Sequence, residues 1–300
     1  MQMENNKKSF GYLVGPLILY WLVNLVAVTA AEAVVLGGYM AETQAKKMGM
    51  DQIQQYVMDH MNELLQVINS RLVEISAFGA LITLAVSAAF FLHDRKKEKL
   101  EGAVTTERAS AGRYLWILLL GVGMCIALNN LMNLAGLAFY SDAYQKTSQA
   151  MYSAGFEVQI LCLGILMPLS EEMIFRGVIF KRYEQGFGFK KAMLMSAMFF
   201  AVTHGNLVQI VYGFVMGLFL AYVYEKYGSL KAAACLHITM NLVSLLVTKA
   251  DGFTWMFSGF WPLCISTVGA AFVSACAFVK IRDINTNETA EGSEGVGTGF

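Results

Sequence analysis

Long apolar runs separated by short polar connections dominate the chain, and their lengths set the architecture. A helix needs about 20 mostly apolar residues to cross a bilayer. The stretches that reach or approach this length are 12–39, 72–92, 114–140, 158–180, 192–206, 207–225, 229–248 and 253–279. The pattern predicts an all-α, polytopic membrane protein of about eight transmembrane helices. Only the polar turn around Gly205 and Asn206 divides the fifth stretch from the sixth. The first stretch is longer than the h-region of a secretory signal, so it is expected to stay as an uncleaved helix. Residues 40–71, rich in Gln, Glu and Met, read as an amphipathic outer helix or loop. Residues 1–283 form one expected membrane domain, and 284–300, rich in Gly, Glu and Thr, an expected disordered cytoplasmic tail.

Composition agrees with this reading. The chain has 300 residues, 56% hydrophobic and 15% charged, where soluble domains carry about a quarter charged residues. Its formal net charge is zero, so no basic footprint points to a nucleic-acid partner. The five cysteines lie inside apolar stretches without metal-type spacing and read as small apolar residues.

Lysine and arginine placement sets the orientation. Arg95, Lys96, Lys97, Lys99, Arg108 and Arg113 share one connection; Lys181, Arg182, Lys190 and Lys191 share another. With Lys7, Lys8, Lys226, Lys231, Lys280 and Arg282, they fall on one side of the alternation. The opposite connections hold only Lys46, Lys47, Arg71, Lys146 and Lys249. The expectation is a multi-pass protein of the cell membrane, surrounded by lipid, with both termini cytoplasmic.

Ionisable groups at bilayer depth are expensive and mark functional sites. The fourth stretch contains Glu171, Glu172 and Arg176. Glu172 and Arg176 are one turn apart and suit an ion pair, whereas Glu171 points about 100° away. His204 follows Phe200 by one turn, and His237 and Asn241 share a face of the seventh stretch. Counting from the basic anchors at 1.5 Å per residue puts Glu171 and Asn241 about 15 Å deep, His204 about 20 Å and His237 about 9 Å. Three helices can therefore bring these groups to one intramembrane polar cavity. Asn129, Asn130 and Asn133 read as helix–helix hydrogen bonds, and Gly213 and Gly217 as close-packing positions.

Apolar surroundings disfavour a charged carboxylate and so favour proton uptake from a bound water. A histidine beside it helps hold that water, and a second histidine with an amide can stabilise an oxyanion. Such a set describes peptide hydrolysis without a covalent intermediate.

Glu171-Glu172-x-x-x-Arg176, Phe200-x-x-x-His204 and His237-x-x-x-Asn241 resemble the three motifs of the CAAX-protease and bacteriocin-processing family of intramembrane proteases. The resemblance covers roughly residues 157–247. It implies a glutamate-dependent, cofactor-free endopeptidase in which Glu171 and His204 activate water. His237 and Asn241 would form the oxyanion site, and Glu172 and Arg176 would support the arrangement. The implied partner is a peptide or lipidated protein tail, approached from the membrane or its inner face; the oligomeric state stays open. Two other readings compete. Glu171, His204 and His237 together can ligate zinc, or the cavity can belong to a non-catalytic peptide-binding immunity, scaffold or transport protein.

Overall fold

The computed structural model describes residues 9–42, 49–102, 109–137 and 141–284. These form helices without strands: α1 Phe10–Glu42, α2 Met50–Asp59, α3 Met61–Ser70, α4 Leu72–Leu100, α5 Tyr114–Leu134 and α6 Asp142–Tyr152. Then follow α7 Phe156–Phe187, α8 Phe189–Val202, α9 Leu207–Tyr227, α10 Leu230–Lys249, α11 Gly252–Met256 and α12 Phe260–Arg282. Lys7, Lys8, Lys46, Lys47, Arg108 and the expected tail beyond Ile284 lie outside the described residues.

Among the described residues, seven helices are long and apolar enough to span a membrane: α1, α4, α5 with its leading turn, α7, α9, α10 and α12. The protein is a polytopic, multi-pass helical membrane protein. The expected fifth span departs from this pattern. Its helix α8 has 14 residues, about 21 Å at 1.5 Å per residue, against a hydrocarbon core of about 30 Å. Gly205, at φ +75°, turns the chain where a side chain would be strained, and Asn206 caps α9 by accepting from the Gln209 amide at 3.0 Å. Helices α8 and α9 then pack as an antiparallel pair, with Gly217 against Ala197 and Gly213 against Ala201. A Cβ on Gly217 would sit 2.9 Å from the Ala197 Cα, whereas one on Gly213 would find ordinary contact at 3.6 Å. Only the first is a close approach that requires glycine. The expected last span is also divided, into α11 and α12 around Phe257–Gly259.

The core lies in the half of the molecule that carries the basic connections. Arg176, Phe175, Phe180, Phe200, Tyr224 and Tyr227 are fully buried there. Phe175 meets Phe200 edge-on at 5.4 Å, and Phe180 meets Tyr224 in the same way. At this end Arg182 clamps three helices: it donates to both Asp94 oxygens at 2.7 and 3.0 Å and to the Tyr12 carbonyl at 2.7 Å. Such bidentate pairs carry geometric specificity. Asn130 crosses from α5 to α12, donating to Ser266 and Thr267 at 3.0 Å. Asn129 instead donates to the Cys125 carbonyl of its own helix at 2.8 Å.

Candidate active site

Helix α7 carries the acidic pair between two π-helical stretches, Ile160–Leu166 and Phe175–Phe180. In the first, the Met167 amide reaches back five residues to the Cys162 carbonyl. The next bond in that register would run from residue 168 to the Leu163 carbonyl, but Pro168 has no N–H to give. Asn241 supplies the missing donor, its Nδ2 bonding the Leu163 carbonyl at 2.8 Å. One side chain of α10 thus completes the backbone of α7 in lipid, where an orphaned carbonyl is costly.

Below this contact the buried acids and bases form a chain. Arg176 donates from Nη1 to Glu172 Oε1 at 2.9 Å and from Nη2 to the Gly217 carbonyl at 3.2 Å. Its guanidinium lies over the Phe200 ring, 4.6 Å from the centroid. The same Glu172 oxygen accepts from His237 Nδ1 at 2.8 Å, and His237 Nε2 stands 3.6 Å from Glu171 Oε2. Glu172 is 1% exposed and Glu171 18%, so only the second acid can meet a substrate. His204 Nδ1 lies 3.1 Å from the Phe200 carbonyl. A carbonyl only accepts, so this contact assigns the Nδ1 proton of the neutral ring and leaves Nε2 as an acceptor. The Phe200 ring meets both imidazoles edge-on, at 4.9 Å for His204 and 5.6 Å for His237.

Glu171, His204, His237 and Asn241 line one cavity of about 790 Å³, and Glu172 and Arg176 stand behind it. Among the described residues, no hydrogen bond or ion pair joins Glu171 directly to His204; its nearest histidine nitrogen belongs to His237. Nor do three His, Cys, Asp or Glu side chains gather as a metal-binding group there. Asn129 and Asn133, expected as packing residues, line the cavity, as do Tyr20, Gln209, Ser244 and Thr248. The one signal for the asparagines was their four-residue spacing, which puts both on one face. Along α10 the cavity lining extends from His237 to Thr248, away from Lys231 at the start of that helix.

Fold and site together define a multi-pass helical membrane protein with a carboxylate, two imidazoles and an amide inside a polar cavity. Residues 153–243, which include all three motifs, match the family model described as Type II CAAX prenyl endopeptidase Rce1-like. The UPF0177 protein YxdF of Lactococcus lactis subsp. lactis (strain IL1403) is 32% identical over 91 residues, 29% of this chain and 50% of that protein. The chain therefore spans about half the length of this curated relative. No solved structure matches.

Proposed function

We propose that the protein is an intramembrane endopeptidase of the cell membrane, with both termini cytoplasmic, that hydrolyses a membrane-associated peptide or protein tail. The observation that carries this reading is the Glu171–His237–Glu172–Arg176 chain, which ends in the one cavity-facing carboxylate among the described residues. The family match over 153–243 supports the reaction class.

Glu171 takes a proton from a water held between it and the acceptor Nε2 of His204. The resulting hydroxide attacks the scissile carbonyl carbon. A carboxylate oxygen faces each ring nitrogen of His237. At 3.6 Å its Nε2–H is too far from Glu171 for a good hydrogen bond, and it remains available to the developing oxyanion. Asn241 has a second Nδ2–H beyond the one given to Leu163, and donates it to the same oxygen. The intermediate collapses as Glu171 passes its proton to the leaving amine, giving a carboxylate and an amine. No cofactor enters this scheme.

Comparing membrane peptides from cells carrying the wild-type protein with those from cells carrying Glu171→Gln tests the proposal. A precursor that accumulates only with the variant, at equal membrane abundance, is the expected result. Identical peptide profiles would instead favour a binding, scaffold or transport role.

A further inference from the structure

The cavity is longer than water activation requires, and polar side chains are spread along it. Along α10 its lining runs from His237 through Ser244 to Thr248, a rise of about 16 Å over eleven residues. Asn129 and Asn133 face it from α5, and Thr147, Gln149 and Tyr152 close its far end from the short helix α6. The Tyr152 hydroxyl meets Ser244 Oγ at 3.3 Å, and Gln159 Nε2 donates to the Tyr152 carbonyl at 3.0 Å, fixing α6 over the opening.

Among the described residues that line the cavity, Glu171 is the one carboxylate and none is Lys or Arg. No Lys or Arg among them is in place to grip a terminal carboxylate, and both ring nitrogens of His237 already face Glu171 and Glu172. An isoprenoid chain would also bury the side chains of Asn133, Gln149 and Thr248, which hydrogen-bond nothing within the described residues, at a cost of about 1–3 kcal/mol for each unsatisfied group. An extended peptide backbone offers them N–H and C=O groups throughout. At about 3.3 Å per residue, the path from Thr248 to His237 holds about five residues.

On the peptidase reading above, we propose that this vestibule is the subsite for an uncharged, extended peptide stretch of about five residues. The stretch enters beneath α6 at the end remote from the basic connections. The bond presented to Glu171 is internal, and the vestibule binds neither a free C-terminus nor a prenyl group.

The test uses full-length Glu171→Gln protein carrying Thr248→Cys in intact cells and proteoliposomes, labelled with a membrane-impermeant maleimide. The parent with its native cysteines sets the background. Three probes compete: an acetylated, amidated octapeptide of Ser, Asn, Gln and Ala; the same peptide with two lysines; and farnesyl-cysteine methyl ester. Labelling from outside the cell, slowed about fivefold by the uncharged peptide and unaffected by the other two, is expected. Labelling only from the cytoplasmic face would overturn the proposal, as would protection by farnesyl-cysteine or the lysine peptide equal to or above that of the uncharged one. If Thr248→Cys does not insert, Ser244→Cys gives the same readout. Failure of the peptidase reading is distinguishable: protection persists, but the wild-type and Glu171→Gln peptide profiles coincide.

Discussion

Glu172 Oε1 is shared: His237 Nδ1 lies 2.8 Å from it and Arg176 Nη1 2.9 Å. One buried carboxylate oxygen therefore orients a histidine and compensates a guanidinium. Glu172→Ala leaves Arg176 as an unpaired buried charge, an expected cost of about 3–5 kcal/mol. Glu172→Gln keeps the shape but puts a neutral amide in place of the carboxylate that accepts from His237 Nδ1 and compensates Arg176. Thermal unfolding in detergent should show a loss for both variants, the larger for Ala, because Gln keeps an acceptor oxygen for Arg176 but not the compensating charge. Peptide cleavage by the Gln variant should still fall about 100-fold. Full activity in Glu172→Gln would show that His237 needs no carboxylate at Nδ1.

The Asn241–Leu163 bond separates a structural role from a chemical one. Asn241→Ala orphans the Leu163 carbonyl and is expected to cost about 1–3 kcal/mol. Adding Pro168→Ala restores a backbone N–H at the position able to serve that carbonyl. The double variant should recover much of the lost stability, a non-additive cycle readable by denaturant unfolding. Cleavage should stay low in both variants, because the oxyanion donor is still missing. Strict additivity would mean that the two residues do not act on the same carbonyl.

Close packing at Gly217 holds the α8–α9 pair and the carbonyl that Arg176 uses. Gly217→Ala pushes a Cβ to 2.9 Å from the Ala197 Cα, and an expected loss of about 1–3 kcal/mol follows from such overpacking. Gly213→Ala meets only ordinary contacts and should fall within about 0.5 kcal/mol of the parent. Equal effects of the two substitutions would contradict the packing account.

Removal of metal tests the zinc alternative. Purified protein treated with 1,10-phenanthroline should cleave at its untreated rate. Loss of activity that returns with stoichiometric zinc would show that Glu171, His204 and His237 act as ligands instead.

The spans were legible because apolar run length is a one-dimensional property, and the Glu172–Arg176 ion pair followed from four-residue spacing. The turn at Gly205 and Asn206 was legible as the end of the fifth stretch, but the end of α8 at Val202, ahead of that turn, was not. The first π-helical stretch of α7 was not legible either, because the Leu163 carbonyl within it is served by Asn241, 78 residues away. Motif resemblance assigned His204 to Glu171, yet the geometry sets His237 Nε2 beside that acid. The face of α10 was readable, but its rotation against α7 is set by packing between helices. The vestibule was hidden for the same reason. Its polar groups come from α1, α4, α5, α6, α9 and α10, and no single one of these helices shows that they face one another.

The role of Glu171 is tested most directly by single-turnover cleavage of an accumulated precursor by purified protein in lipid nanodiscs, wild type against Glu171→Gln. The expected result is a rate at least about 1,000-fold lower in the variant, with equal precursor binding and an unchanged fold. Cleavage by Glu171→Gln within about twofold of wild type would contradict the account, because a step that survives loss of the only cavity-facing carboxylate does not use it as its base.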